Sequence, residues 1–95
     1  MKVMYSPESV DDLQRVVEFV ELENPFAARR IAIDLQEGVA KLKQFPKIGL
    51  PVLKAPEPEQ IRDLYIGNYT VRYFILAEAI YILRIWHNKE NEKNL

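Results

Sequence analysis

The first half of the chain carries apolar residues at three- and four-residue steps, which is the spacing of one face of an α-helix. The first series is Val10, Leu13, Val17 and Val20, and the second is Ala28, Ile31, Leu35, Val39 and Leu42. Ser6-Pro7 precedes the first series and Asn24-Pro25 the second. Each pair is a helix start, because the polar side chain caps free amides and proline fits the first turn. The pattern predicts two amphipathic helices forming an antiparallel hairpin.

The second half of the chain changes to the pattern of β-strands. Residues 61–66, 69–76 and 80–87 are rich in β-branched and aromatic side chains, and Lys2–Tyr5 is a further short strand. Gly67-Asn68 is typical of a two-residue hairpin turn. The order β-α-α-β-β-β predicts an α+β fold in which the helical hairpin packs on one face of an antiparallel sheet.

The turns between the last three strands set their register. A three-residue turn at 77–79 places Arg72 opposite Arg84, and Tyr73 then faces Leu83. The predicted core face holds Leu64, Ile66, Tyr69, Val71, Tyr73, Ile75, Tyr81, Leu83 and Ile85. The predicted outer face holds Asp63, Tyr65, Thr70, Arg72, Phe74, Ile82, Arg84 and Trp86.

The composition is that of one ordinary globular domain. The 95 residues include 48% hydrophobic and 28% charged side chains with a net charge of −1, so we expect a single domain at 1–89 and a polar tail at 90–95. Residues 1–40 hold four basic and eight acidic side chains, whereas residues 41–89 hold eight basic and four acidic ones. A basic second half is typical of a surface for an acidic protein or a nucleic acid, and equally of a solvated surface.

Residue counts exclude several kinds of site. The chain has no cysteine and one histidine, which rules out disulfides, thiolate metal sites, a cysteine nucleophile and any site with two imidazoles. Its three glycines, Gly38, Gly49 and Gly67, are too scattered for a phosphate-binding loop. No apolar run reaches the ~18 residues of a membrane span, and no signal peptide is predicted. We expect a cytoplasmic protein with no metal, no cofactor and no membrane contact.

The predicted outer face is the strongest candidate for a functional surface. It places two arginines side by side among large apolar groups, which an ordinary solvated face does not carry. The predicted partner-binding residues are Tyr65, Arg72, Phe74, Ile82, Arg84 and Trp86. The occupant of this face is the C-terminal tail, a partner peptide, or an RNA base with its phosphate. Asp63 beside Arg72 is also typical of a purely structural cross-strand pair.

Two further groups of side chains bear on chemistry. His87 ends the last predicted strand and is suited to general acid–base work. A lone histidine with no carboxylate to orient it is nevertheless more often structural. The acidic residues of the first helix, Asp11, Asp12, Glu18 and Glu21, are predicted to form a solvated face.

Several short motifs occur in an order and spacing shared with one family of proteins. They are Tyr5-Ser6-Pro7-Glu8, Asn24-Pro25 with Ala27-Ala28, Leu42-Lys43-Gln44-Phe45-Pro46-Lys47-Ile48-Gly49, Arg62-Asp63-Leu64, Gly67-Asn68-Tyr69-Thr70-Val71-Arg72-Tyr73 and Ile82-Leu83-Arg84-Ile85-Trp86-His87. Over residues 2–89 the chain thereby resembles the RelE/ParE superfamily of toxins from bacterial type II toxin–antitoxin pairs. The resemblance implies a microbial-ribonuclease-like α+β fold.

The resemblance implies one of two activities. RelE-type toxins cut mRNA on the ribosome, and ParE-type toxins inhibit DNA gyrase without being nucleases. The long helical hairpin and the Pro46-x-x-Gly49 exit are closer to ParE, and Thr70 stands where the ribonuclease branch typically carries an arginine. We therefore expect a gyrase inhibitor, not an enzyme, that is neutralised by a cognate antitoxin. Growth inhibition and plasmid stabilisation are the implied roles.

The alternative is a RelE-like endoribonuclease whose partners are the ribosome and mRNA. Arg72, Arg84 and His87 are then the candidate catalytic residues, because RNA cleavage requires a cation at the phosphate and an acid–base group. A toxin fold that has lost its toxicity is a third possibility. In each active case we expect Arg84→Ala to leave the chain folded while toxicity falls, since adjacent cations repel.

Overall fold

A computed structural model of the chain describes residues 1–90 and 92, so residues 91 and 93–95 of the predicted tail lie outside the described part. The elements are β1 (Lys2–Tyr5), α1 (Pro7–Glu21), α2 (Pro25–Ala40), a 3₁₀ turn (Lys41–Lys43), β2 (Leu50–Pro51), β3 (Ile61–Ile66), β4 (Tyr69–Ile75) and β5 (Ala79–His87). The helices pack together and contribute buried side chains to the same core as the sheet. The predicted α+β fold with a helical hairpin on a sheet is confirmed.

The strands form one five-stranded sheet in the order β1-β5-β4-β3-β2. β2 to β5 are antiparallel neighbours, whereas β1 runs parallel to β5. The sheet is therefore mixed: the predicted antiparallel arrangement holds for β2 to β5, and β1 adds a parallel strand at one edge. The chain leaves β1, re-enters the sheet at the opposite edge after the helical hairpin, and returns strand by strand to β1. A strand pattern gives no direction for partners so far apart in sequence.

Both helices begin where the sequence predicts. The Ser6 hydroxyl oxygen accepts a hydrogen bond from the amide of Ser9 at 3.0 Å, and the Asn24 side-chain oxygen accepts one from Ala27 at 3.0 Å. A proline follows each cap at the first helical position. These bonds satisfy amides that have no partner within the helix, so the cap residues define where the two helices start.

The core lies between the helical hairpin and one face of the sheet. Its buried members are Val16, Leu35, Val39, Leu42, Tyr69, Val71, Tyr73, Ile80, Ile82 and Ile85. The hydroxyl of Tyr73 donates to the carbonyl of Pro46 at 2.7 Å and accepts from the amide of Gly49 at 3.0 Å. This buried hydroxyl satisfies both of its hydrogen-bonding roles and fixes the connector before β2 against the centre of the sheet.

The predicted register holds at Arg72 and fails beyond it. Arg72 faces Arg84 as expected, but Tyr73 faces Ile82 because a β-bulge lies between Arg72 and Tyr73 in the pairing of β4 with β5. Leu83 is the extra residue, so the side chains that precede it in β5 lie on the opposite faces from those predicted, whereas Arg84 and Ile85 keep theirs. Ile82 is fully buried in the core. The assignment of Ile82 to the outer face, and of Tyr81 and Leu83 to the core face, is therefore wrong.

The bulge lies where the neighbour of β5 changes from β1 to the first turns of α1. β1 pairs with β5 only as far as Tyr5 and Ile82. Beyond that point, side chains from the N-terminal end of α1 bond to the β5 backbone. The Ser6 hydroxyl donates to the carbonyl of Leu83 at 2.9 Å, and the Asp12 carboxylate accepts from the amide of Ile85 at 2.9 Å. Helix side chains thus protect an edge that would otherwise expose unpaired backbone groups.

Candidate functional site

Arg72 lies buried on the outer face of the sheet, at the centre of β4. Its guanidinium forms two hydrogen bonds to the Asp63 carboxylate, from Nε to Oδ1 at 2.8 Å and from Nη2 to Oδ2 at 2.9 Å. Its Cζ atom lies 5.1 Å from the centre of the Trp86 ring, within cation–π range. The guanidinium also forms an ion pair with Glu92 from the C-terminal segment. The hydrogen bond to Asp63 and then the one to Glu92 raise the pKa of Arg72, although burial opposes them.

Arg84 faces Arg72 in the register, but its carboxylate partner comes from a helix. Nε of Arg84 donates to Oδ2 of Asp12 at 2.8 Å, and Nη2 donates to Oδ1 at 3.1 Å. Asp12 is buried in α1 and also accepts from the amide of Ile85. The prediction that Asp12 belongs to a solvated acidic face is therefore wrong. Helical periodicity did not reveal that its partner lies in the last strand, 72 residues away.

The protonation of Asp12 is controlled by opposing effects. Burial alone would raise the pKa of this carboxyl, because the charged form loses water. Hydrogen bonds from Arg84 and the Ile85 amide, with the charges of Arg84 and Arg15, outweigh burial, so the pKa of Asp12 is lowered. The same pairing raises the pKa of Arg84. Asp12 and Arg84 therefore remain an ion pair at neutral pH.

The remaining residues of the predicted outer face are exposed to different degrees. Tyr65 is exposed, Phe74 is half-buried and Trp86 is buried. The side chain of Thr70 donates to that of Asn88, just after β5. Together with the contact between Glu92 and Arg72, this bond places the C-terminal segment over part of the outer face. Of the three occupants that the sequence suggested for this face, the described residues therefore favour the C-terminal tail over the part that contains Thr70 and Arg72.

His87 lies on the opposite face of the sheet from the two arginines. It pairs in register with Tyr69, and the two rings meet edge to face with their centres 5.0 Å apart. Nδ1 of His87 accepts from the amide of Lys89 at 3.0 Å, which leaves Nε2 to carry the proton of a neutral ring. The structure therefore brings Arg72 and Arg84 together but separates His87 from both.

A groove that the sequence did not predict runs along α1 beside the ends of β4 and β5. Its volume is about 550 Å³, and it is lined by Arg15, Val16, Phe19, Val20, Tyr69, His87, Lys89 and Glu90. Arg15 donates to the Glu90 carboxylate at 2.6 Å, and both residues line the groove. Burial, followed by the charge of Glu90, raises the pKa of the Tyr69 hydroxyl. The groove combines an apolar wall with charged and titratable groups, as binding sites commonly do.

Apolar side chains are exposed near this groove and at the turn of the helical hairpin. Phe19 is 77% exposed, Leu22 is 88% exposed and Phe26 is 81% exposed. Phe19 and Leu22 lie outside the predicted apolar stripe of α1. Their place in the sequence therefore already indicated that these two apolar side chains are exposed. Apolar residues near one another on a surface are typical of protein interfaces.

The described residues contain neither a metal site nor a membrane span. No group of three or more His, Cys, Asp or Glu side chains lies close enough to hold a metal ion in this part of the chain. Neither α1 nor α2, nor any other described helix, combines the length and hydropathy needed to cross a bilayer.

Comparisons with known proteins agree with this architecture. Residues 3–92 match the family model described as the ParE toxin of the type II toxin–antitoxin system, parDE. Two relatives from Caulobacter vibrioides are Toxin RelE1 and Toxin RelE2. The first is 28% identical over 93% of this chain and 94% of its own length, and the second is 24% identical over 90% and 93%.

A solved structure shares the fold. It is described as the chromosomal ParDE TA system from P. aeruginosa, and one of its chains superposes with a TM-score of 0.77 at 21% sequence identity. The match covers 92% of this chain and 95% of that one. At this identity the likeness establishes the arrangement of helices and strands.

Proposed function

The chain belongs to the ParE toxin family of type II toxin–antitoxin systems, and from this premise we propose that it inhibits DNA gyrase and is neutralised by a cognate antitoxin. A type II toxin is made together with an antitoxin, so membership of the family implies such a partner. The arrangement of the candidate residues supports this choice over RNA cleavage, and gyrase itself is the target that the resemblance to ParE-type toxins implies.

The observation that carries the proposal is that carboxylates of the chain itself hold both arginines of the outer face. Arg72 is bonded to Asp63 and Arg84 to Asp12, each through two hydrogen bonds. RNA cleavage needs a cation directed at the phosphate and an acid–base group near the 2′-hydroxyl. With the single histidine on the other face, the set Arg72, Arg84 and His87 does not meet this requirement. This separation favours inhibition by protein contact over nuclease activity.

Ribosome-dependent mRNA cleavage remains the second candidate function. It is favoured by the groove, where His87 and Tyr69 lie beside Arg15 and Lys89, and by the similarity to two toxins named RelE. A histidine next to cations is a suitable arrangement for acid–base work on a phosphodiester. In this alternative the catalytic groups belong to the groove, and the paired arginines of the outer face have a structural role.

The two functions are separated by measuring both targets with the same toxin. Purified toxin is added to gyrase, ATP and relaxed plasmid, and supercoiling and cleaved DNA are followed. In parallel, cells induced for the toxin are analysed by primer extension on a reporter transcript. We expect supercoiling to stop and cleaved DNA to accumulate while the transcript stays intact. Cuts at ribosome-occupied codons with unaffected gyrase would contradict the proposal.

His87→Ala adds a residue-level test of the same choice. For a gyrase inhibitor we expect toxicity to be nearly unchanged, whereas a nuclease that uses this imidazole would lose about 100-fold or more in cleavage. Phe45→Ala is the matched control, because it removes an exposed ring that does not titrate and that lies outside the groove. Melting temperatures of both variants show whether a loss of toxicity reflects unfolding.

We assign the antitoxin to the groove and the exposed apolar residues of the helical hairpin. An antitoxin segment that folds on binding needs apolar surface for its affinity, and Phe19 offers it next to the charged residues of the groove. Co-expression with the neighbouring open reading frame should yield a stable complex. We expect Phe19→Glu to weaken it strongly. Leu53→Glu, at an 85% exposed site outside the groove, is the matched control and should have little effect. Equal effects of the two substitutions would exclude the groove.

A further inference from the structure

Part of the outer face of the sheet is covered by two residues of the chain's own C-terminal segment, Asn88 and Glu92, which we term the C-terminal cover. The Asn88 amide donates to the carbonyl of Asn68 at 2.8 Å, and the Asn88 side chain accepts from Thr70. Further along, Glu92 reaches Arg72. Thr70, Arg72 and Trp86 are all buried, although the apolar core side chains of the helices pack on the opposite face of the sheet. The cover therefore bonds to a buried strip of polar and aromatic side chains.

Glu92 is the exchangeable end of the C-terminal cover. Its side chain is 55% exposed, whereas that of Arg72 is only 5% exposed. A half-exposed ion pair contributes little to stability and is screened by salt, because water competes for both charges. Arg72 keeps its two bonds to Asp63 when Glu92 leaves, so release of Glu92 does not abandon a buried charge. The pKa of Glu92 is lowered mainly by its hydrogen bond to Arg72, and the charge of Lys54 adds to this effect.

The carboxylate of Glu92 indicates the chemistry of the ligand that replaces it at Arg72. The departing carboxylate leaves a position that adjoins Arg72, the Trp86 ring and the positive charge of Lys54. Another carboxylate restores the same bonds. A nucleic acid instead requires several cations along its backbone, and here Asp63 and Asp12 already neutralise much of the charge of Arg72 and Arg84. The charge pattern therefore fits one or two carboxylates of a peptide better than a row of phosphates.

We propose that the Arg72–Trp86 strip is a docking site for an acidic peptide segment of another protein, and that Glu92 closes this site within the chain. The cover and the peptide compete for the same guanidinium. Docking is consequently weaker while the cover is closed than after the cover is released. The competition is independent of whether the toxin acts on gyrase or on the ribosome.

The single tryptophan of the chain, Trp86, reports the state of the cover. Acrylamide quenching of its fluorescence is measured for the wild type, for Glu92→Gln and for Glu23→Gln. Glu23 is exposed in the turn after α1, so the control removes the same charge elsewhere. We expect stronger quenching only in Glu92→Gln, with a rise of up to about fivefold in the ratio of open to closed forms. Added salt should increase quenching in the wild type and change Glu92→Gln little.

Binding is then measured with a hexaglutamate peptide as the probe, titrated against Trp86 fluorescence. We expect Glu92→Gln to bind the peptide more tightly than the wild type and Glu23→Gln to match the wild type. Hexathymidylate is the second probe and should bind more weakly than the peptide. Equal quenching and equal peptide affinity in all three proteins would overturn the proposal, as would tighter binding of hexathymidylate. Because melting temperature is measured for each variant, unfolding of Glu92→Gln would be detected, and Asn88→Ala then provides the second way to release the cover.

Discussion

Arg72 and Arg84 lie opposite each other in the sheet, yet they obtain their carboxylates in different ways. Asp63 faces Arg72 on the neighbouring strand, so this pair is a local product of the β3–β4 hairpin. Asp12 reaches Arg84 from α1, and the same carboxylate also binds the backbone of β5 at Ile85. The first pair lies within a sheet that the hairpin already forms. The second joins the helical layer to an otherwise uncovered strand edge, so we expect it to contribute more to the stability of the whole fold.

The largest effect is expected from removal of the Asp12 carboxylate. Asp12→Ala leaves the Ile85 amide without its acceptor and Arg84 without its partner, and breaking a buried pair of this kind costs about 3 kcal/mol of unfolding free energy. The exposed neighbour Asp11 provides the control, because Asp11→Ala should change stability by less than about 0.5 kcal/mol. Urea unfolding followed by circular dichroism measures both. Equal losses would mean that Asp12 has no special role at the β5 edge.

Arg84→Ala should be the next most destabilising change, at about 2 kcal/mol, because it leaves the buried Asp12 charge with less compensation. The structure therefore reverses the expectation, drawn from two adjacent cations, that this substitution is harmless to the fold. A double-mutant cycle with Asp12→Ala tests the reason. We expect the double variant to be more stable than the sum of the single losses predicts, with a coupling energy of about 1–3 kcal/mol. Additive losses would show that the two side chains act independently.

The two helix caps extend the comparison to the start of α1. Ser6→Ala removes the cap and also the hydrogen bond to the Leu83 carbonyl at the bulge, so we expect a loss of about 2 kcal/mol. Asn24→Ala removes an exposed cap whose side chain accepts from the amide of Ala27. Its cost should be about 1 kcal/mol, because only the capping bond is lost. Thermal unfolding of the two variants compares them. A larger loss from Asn24→Ala would contradict the importance of the contact between α1 and β5.

The smallest effect is expected from pH. The pKa of Asp12 is lower in the folded protein than its ordinary value of 3.8, so the unfolded chain takes up a proton there first as pH falls. The stabilisation from this carboxylate is therefore complete above about pH 5 and is lost as pH falls through the folded pKa. Asp12→Asn should flatten the decline of unfolding free energy between about pH 5 and 2. An unchanged slope would mean that other carboxyl groups account for the acid sensitivity.

Local patterns accounted for most of the architecture. Ser6 and Asn24 marked the helix starts, and Gly67, with φ of +57°, marked the hairpin turn. The three- and four-residue steps marked the buried face of α2. The predicted stripe of α1 was wrong at Val10, which is 50% exposed, and the buried residues of that helix are Ser9, Asp12 and Val16. Such features depend on a few consecutive residues and on backbone preferences that act at short range. The pairing of Asp63 with Arg72 also followed from hairpin geometry. These parts of the fold were therefore available before any tertiary contact was known.

Tertiary contacts decided the remainder. The parallel pairing of β1 with β5, the bulge at Leu83 and the burial of Asp12 all arise where α1 replaces β1 along β5. The location of Ile82 in the core depends on that bulge, because one additional residue reverses the side-chain alternation of a strand. Contacts between residues more than 70 positions apart leave no periodic trace in the chain. Packing of the helix against the sheet edge selected them, through the backbone groups that had to be satisfied there.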